Sequence, residues 1–235
     1  VIPFAVGSVL ISRYVNLQLE SKKEELLDLW YKGIKKVSLM VLPLTIMVIV
    51  IASDLISLLF ETEGTSYQAA VIPFQIYNLI ILIRVTHYGS ILQAFGDTKG
   101  VLWMSLNLLL ANIILSIPLT FYFGIVGTAA STLIANIYNW YMILKRIGSH
   151  MELPAYKVLP FPFYLKVLGI SFLTGAAVWF ARNSWIADES IVYGLFFSIP
   201  TFLIIYGISG SFFGIISSED WKKFRKWISL DFLWR

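Results

Sequence analysis

Apolar residues in this sequence run in long blocks separated by short polar breaks, without the strict alternation that marks half-buried strands. Seven blocks emerge, at about 1–18, 37–60, 68–96, 101–119, 123–144, 162–182 and 191–216. Most approach or exceed the ~20 residues a helix needs to cross a bilayer. The breaks have turn chemistry. Glu61-Thr62-Glu63-Gly64 ends the second block, Gly96-Asp97-Thr98-Lys99-Gly100 the third and Arg182-Asn183-Ser184 the sixth. The 44 residues from Val101 to Leu144 carry no charge. As one helix they would extend ~66 Å, twice the ~30 Å hydrocarbon core, so the run must cross, turn and cross back. Pro118 to Gly124 is where proline and glycine favour that turn. The chain opens on Val1, and only twelve residues precede Arg13. The first block therefore reads as a partial span, and the chain as lacking the N-terminal half of its parent.

Composition agrees with lipid as the solvent. The chain is 58% hydrophobic and 14% charged, against roughly 45–50% and about 25% in soluble domains. It has no cysteine, which excludes disulfides, thiolate metal sites and a cysteine nucleophile. The net charge of +4 would point toward nucleic acid in a soluble protein. Here the basic residues lie in connections between apolar spans, where topology accounts for them, so no nucleic-acid partner is expected.

The distribution of lysine and arginine orients the chain. Alternate connections carry Arg13, Lys22, Lys23, Lys32, Lys35 and Lys36, then Lys99, then Lys145, Arg146, Lys157 and Lys166, then Lys222, Lys223, Arg225, Lys226 and Arg235. The opposite set carries only Arg182, beside Glu61, Glu63, Asp188 and Glu189. The positive-inside rule places the first set and the C-terminus in the cytoplasm. The sequence thus predicts an all-α, polytopic transmembrane helix bundle of about seven spans. A bundle covers 1–146, a cytoplasmic loop 147–161, two further spans 162–216 and a basic amphipathic tail 217–235. Two cytoplasmic stretches show helical stripes. Leu26, Trp30, Ile34 and Val37 form one; in the tail, a Ser217/Asp220 capping box precedes Trp221, Phe224 and Ile228. Each is expected either to lie on the membrane surface, held by anionic lipid, or to dock on the bundle.

Arg84 is the most costly residue for lipid to accommodate. It falls near the middle of the third block, where a guanidinium costs about 2.5–3.5 kcal/mol on insertion scales. It is expected to face the bundle interior or a watery cavity. His87 follows at helical spacing on nearly the same face, and Gln93 lies further along. A cation and an imidazole facing a cavity suit an anionic group, phosphate especially; the structural alternative is an arginine that snorkels or caps helix carbonyls. Asp54 is six residues from Phe60 at the outer end of its block, and an interfacial position is expected. Asn107, Asn112, Asn136 and Asn139 read as interhelical hydrogen-bonding groups, and Gly124, Gly127, Ala129 and Ala130 as close-packing positions. Pro43, Pro73, Pro118 and Pro200 mark candidate kinks. His150 and Glu152 have no partner at useful spacing. No catalytic constellation, phosphate loop, metal-ligand cluster or cofactor motif is visible.

The run Leu92-Gln93-Ala94-Phe95-Gly96-Asp97-Thr98-Lys99 resembles the "LQA-G-TK" turn of polysaccharide and oligosaccharidyl-lipid flippases, which belong with the multidrug and toxin extrusion (MATE) proteins in one exporter superfamily. Pro43 after a basic amphipathic stretch, Tyr67 and Ala70 after an acidic loop, and Asn107 and Asn112 after the turn are consistent with that pattern. So is Gly124 followed by Gly127-Thr128-Ala129-Ala130, similar to the family's "G-xx-GAA" start of the next helix. Phe60-Glu61-Thr62-Glu63-Gly64 departs from it, being longer than the family's short "FG" loop.

The resemblance implies a MATE-like C-terminal half, helices eight to fourteen of fourteen. Helices thirteen and fourteen (162–182 and 191–216) would be peripheral and could offer the lipid tail an apolar groove. It implies a cell-membrane transporter that moves lipid-linked oligosaccharide by alternating access, with membrane lipids and the N-terminal half as partners. Arg84, His87 and Gln93 are candidate substrate-binding residues on its tenth helix, and Gly96, Asp97, Thr98 and Lys99 form the cytoplasmic turn motif. A cation-coupled drug antiporter of the same superfamily would want a deep carboxylate, which no complete span clearly shows. A membrane glycosyltransferase would want acidic catalytic residues on a large outer loop, and these loops are short.

The charge asymmetry yields a direct test. Single cysteines at Ser21, Ser149 and the C-terminus should label only from the cytoplasm, and one at Gly64 only from outside. Labelling of Gly64 and Ser149 from the same side would overturn the seven-block topology.

Overall fold

A computed structural model describes residues 2–61, 65–186, 190–217 and 220. Those residues form helices and connections, with no strand among them. In chain order the helices are α1 (Ile2–Leu19), α2 (Lys23–Val50), α3 (Ala52–Phe60), α4 (Val71–Ile83), α5 (Tyr88–Ala94), α6 (Thr98–Met151), α7 (Phe161–Trp185) and α8 (Ile191–Phe212). Short 3-10 turns lie at Gln68–Ala70 and Ala155–Lys157. Among the described residues, five stretches are long and apolar enough to cross a membrane: Lys23–Val50, Gln68–Ala94, Thr98–Met151, Phe161–Trp185 and Ile191–Phe212.

The 54 residues of α6 would extend ~80 Å if straight. They do not run straight. Gly124 adopts φ 58°, ψ −139°, outside helical space and in the positive-φ half that glycine alone enters freely. Across it, Ser116 Oγ and Ser131 Oγ are 2.7 Å apart, where fifteen residues of helix would separate them by ~22 Å. Thr120 and Thr128 meet at 2.8 Å, and Asn112 Nδ2 donates to Thr132 Oγ1 at 3.3 Å. The uncharged run therefore folds into an antiparallel hairpin, turning where the sequence places glycine. Its two arms bring the five stretches to six crossings, with α1 as a seventh helix.

Three boundaries differ from the sequence reading. The second block is two helices, α2 and α3, meeting at Ile51, and α2 begins fourteen residues before it, at Lys23. The stripe of Leu26, Trp30, Ile34 and Val37 is real, but all four residues are buried in the bundle. Their partners decide this: Trp30 stacks edge-on against Tyr14 and Tyr88 and donates its indole N–H to Val158 O at 2.9 Å. The third block is also two helices, α4 and α5, broken over residues 84–87. Pro43, Pro118 and Pro200 lie inside helices assigned continuously through them, whereas the breaks fall elsewhere. In the tail, Ser217 and Asp220 exchange the two capping-box hydrogen bonds (Asp220 N to Ser217 Oγ, 3.2 Å; Ser217 N to Asp220 Oδ2, 3.0 Å). Trp221, Phe224 and Ile228 lie outside the described residues.

The charged connections sort to two ends. Lys23 pairs with Glu152 at 2.6 Å, Tyr31 hydroxyl donates to Lys157 O, and Lys35 sits over the Phe163 ring. These contacts gather the α1–α2 and α6–α7 connections at one, basic end. At the other, Arg182 near the end of α7 meets Asp54 of α3. The buried apolar core lies mainly among α1, α2, α5, the second arm of α6 and α7. Much of the α6 hairpin is exposed apolar surface, as a lipid-solvated element requires.

Gly127 tests the hairpin. A Cβ there would lie 1.9 Å from Leu119 O of the facing arm, an overlap that backbone must move to relieve. Gly127→Ala should therefore destabilise the protein by about 1–3 kcal/mol, read as a lower thermal midpoint in detergent. Gly169→Ala, where nothing lies within 4 Å, should not.

Candidate functional site

The candidate site is built around the break between α4 and α5. Arg84 N–H still donates to Ile80 O and Ile81 O, closing α4, and Arg84 itself takes φ −97°, ψ 42°. Helix resumes at Tyr88. With α4 starting at Val71, Arg84 lies ~20 Å along the span, well inside a ~30 Å core. The freed carbonyls are taken by side chains. Tyr164 of α7 donates its hydroxyl to Leu82 O at 2.8 Å, and Tyr88 to Ile83 O at 2.9 Å. Trp140 of α6 in turn donates to the Tyr88 hydroxyl at 2.7 Å. Non-helical backbone at membrane depth persists only where protein or water supplies such partners.

The break changes the relation of the three predicted residues. Arg84 and His87 do not share a helical face, because no helix joins them. Arg84 is exposed, and its guanidinium makes no ion pair or hydrogen bond among the described residues. His87 is partly buried, edge-on to Phe4 of α1 at 4.9 Å, and its Nδ1 is buried without a partner among the described residues. Gln93 is exposed on α5. The structure brings His87 and Gln93 together around Gly89, whose missing Cβ would lie 3.3 Å from His87 Cε1 and 4.0 Å from Gln93 Nε2. Gly7 of α1 fits against the same place, its own missing Cβ 2.8 Å from His87 Cβ.

The turn motif has a physical account of its own. Gly96, at φ 73°, ends α5 in a left-handed cap: Gly96 N–H donates to Gln93 O and Asp97 N–H to Leu92 O, both at 2.9 Å. Asp97 then caps α6, accepting from Gly100 N–H at 2.9 Å. The same carboxylate accepts from Arg146 and from His150 Nε2, the latter at 2.8 Å. His150 also stacks on Phe95, the ring centroids 5.1 Å apart. Asp97 thus clasps the far end of the hairpin it starts. Thr98 and Lys99 are exposed beside it. Arg146's hydrogen bond, supported by those of His150 and the Gly100 amide, holds the Asp97 carboxyl well below the usual carboxylate range.

No protein-family model matches the chain, and no curated protein matches it in sequence. A solved structure does match in shape. The fold is similar to that of a lipid flippase. The structure is that of the lipid II flippase MurJ in an inward closed conformation, with a TM-score of 0.66 and 19% identity. The match covers 88% of this chain and 42% of MurJ, so the chain spans less than half of that protein's length. At this identity the likeness speaks for the fold: a multi-pass, all-α bundle with MurJ-like architecture.

Several residues that matter here were missed from sequence. His150 and Glu152 do have partners, Asp97 and Lys23, supplied by connections far apart in sequence. Asp54, expected at the outer end of its block, is buried and accepts from Arg182 at 2.5 Å. The side of Arg182 was legible from charge, as the one cation among acidic residues at its end, but its partner was not. Tyr88, Trp140 and Tyr164 gave no signal, because a tyrosine in an apolar block reads as ordinary packing. Asn112 does bond across the hairpin, but Asn136 bonds its own helix at Thr132 O and Asn107 is exposed.

The clasp predicts a pH dependence with a definite sign. A carboxyl whose folded pKa is depressed adds stability above its unfolded value of ~3.9 and loses it as pH falls through the lower folded value. The thermal midpoint should hold from neutral pH to about 4 and fall below it. Asp97→Asn should cost about 1–3 kcal/mol at neutral pH and flatten that acid limb.

Proposed function

We propose that this chain is part of a flippase that carries a polyprenyl-linked oligosaccharide across the cell membrane by alternating access. The observation that carries the reading is the exposed guanidinium of Arg84, without a partner among the described residues, at a protein-held helix break deep in a span. Lipid exposure there costs several kcal/mol, so the charge belongs in a watery cavity with an anionic group to meet. A diphosphate linking sugar to lipid is such a group, and Arg offers it a two-pronged donor. His87 and Gln93, gathered at Gly89, supply further donors on the same broken span. The MurJ-like fold supports a lipid-linked substrate, and the basic end supports a cytoplasmic C-terminus under the positive-inside rule. In this reading Gly96, Asp97, Thr98 and Lys99 form the cytoplasmic turn, where Asp97 locks the hairpin. A cation-coupled antiporter would need a deep carboxylate free to bind its ion; Asp54 is instead engaged by Arg182.

The test compares stability with transport in the full-length transporter. Arg84→Ala should insert with a melting temperature near wild type and lose transport by tenfold or more. Arg84→Lys should retain part of it, keeping the charge without the fork. Wild-type transport by a folded Arg84→Ala protein would remove Arg84 from the site; loss of melting temperature with transport intact would make it structural.

A further inference from the structure

The α4–α5 break persists only while its carbonyls are occupied. In a continuous helix, Leu82 O and Ile83 O would accept from the N–H groups of residues 86 and 87. Here two phenol hydroxyls have taken those places, Tyr164 on Leu82 O at 2.8 Å and Tyr88 on Ile83 O at 2.9 Å. Both tyrosines are buried, at 5% and 6% exposure, and Trp140 fixes the second hydroxyl from the α6 hairpin at 2.7 Å. The donors come from three elements, α5, α6 and α7. The hydroxyls therefore compete directly with closure of the helix, and closure would turn α5, with His87 and Gln93, about the axis relative to Arg84, which already ends α4.

From this geometry we propose that Tyr164 and Tyr88 are positioning residues for the anionic-headgroup site. They hold the helix open at Leu82 and Ile83 and thereby fix where His87 and Gln93 stand relative to Arg84 at the end of α4. The inference rests on the reading of Arg84 as the group that meets a diphosphate. It adds that α7, through one hydroxyl, sets the geometry of a site on α4. A shift of α7 along the bundle would release Leu82 O and change the site without touching the substrate.

The experiment measures binding to the full chain in lipid nanodiscs, using a polyprenyl diphosphate and the neutral polyprenol as probes. Tyr164→Phe should weaken diphosphate binding about 5- to 50-fold, as expected where a buried carbonyl loses its donor, and leave polyprenol binding unchanged. Tyr88→Phe should act in the same direction, giving an independent reading should Tyr164→Phe accumulate poorly. Tyr206→Phe is the control. Its hydroxyl donates to Leu39 O at 3.2 Å, the same chemistry on another helix pair, and its loss should leave diphosphate affinity at the wild-type value. Wild-type affinity in both Tyr164→Phe and Tyr88→Phe, with affinity lost in Arg84→Ala, would overturn the positioning role and leave the site standing. Equal weakening by Tyr206→Phe would show general loosening and also overturn it. Unchanged diphosphate binding in Arg84→Ala would overturn the site and the positioning role together.

Discussion

Lipid offers no hydrogen bonds, so every backbone carbonyl that leaves a helix ladder inside the bilayer must find a donor in the protein. This constraint accounts for a set of long-range contacts from tyrosine and glutamine side chains to irregular backbone. Pro43 has no N–H for Leu39 O, and the Tyr206 hydroxyl of α8 occupies it. Next to the α2–α3 junction at Ile51, Gln75 of α4 donates to Ile49 O at 3.0 Å. At the α4–α5 break, Tyr164 and Tyr88 serve Leu82 and Ile83. At these three places an irregularity in one helix is answered by a side chain from another element. At these points side chains of α8, α4 and α7 reach the backbone of α2 and α4.

The same constraint explains what the sequence could and could not disclose. Span number, the turn near Gly124 and the separation of charge into two ends follow from length and hydropathy, which act locally and leave a periodic trace. The hairpin was legible because 44 uncharged residues cannot cross a bilayer once. The break at 84–87 was not, for it contains neither proline nor glycine: Arg84, Val85, Thr86 and His87 have no strong helix-ending character. Its donors lie up to 82 residues away, at Tyr164. Arg84 drew notice through its charge alone, and its helical partnership with His87 failed because it presumed an unbroken span.

The ionic contacts show an intermediate case. Asp97, Arg146 and His150 stand in connections that topology assigns to one end, and Asp54 and Arg182 stand at the other. Side could be read from counting spans, and pairing could not, since opposite charges at one end have several potential mates. The Asp97 clasp also gives the G-D-T-K turn a reason to exist apart from any ligand: glycine for the left-handed cap, aspartate for both the next helix start and the grip on its far end.

The single-residue turn at Gly124 bears on how such a chain reaches its membrane. A pair of spans joined by a polar loop must carry that loop through the hydrocarbon layer during biogenesis. Here Phe121, Tyr122, Phe123 and Ile125 surround the bend, and all are exposed apolar or aromatic side chains. Inserting this hairpin therefore carries no charged loop through the hydrocarbon layer.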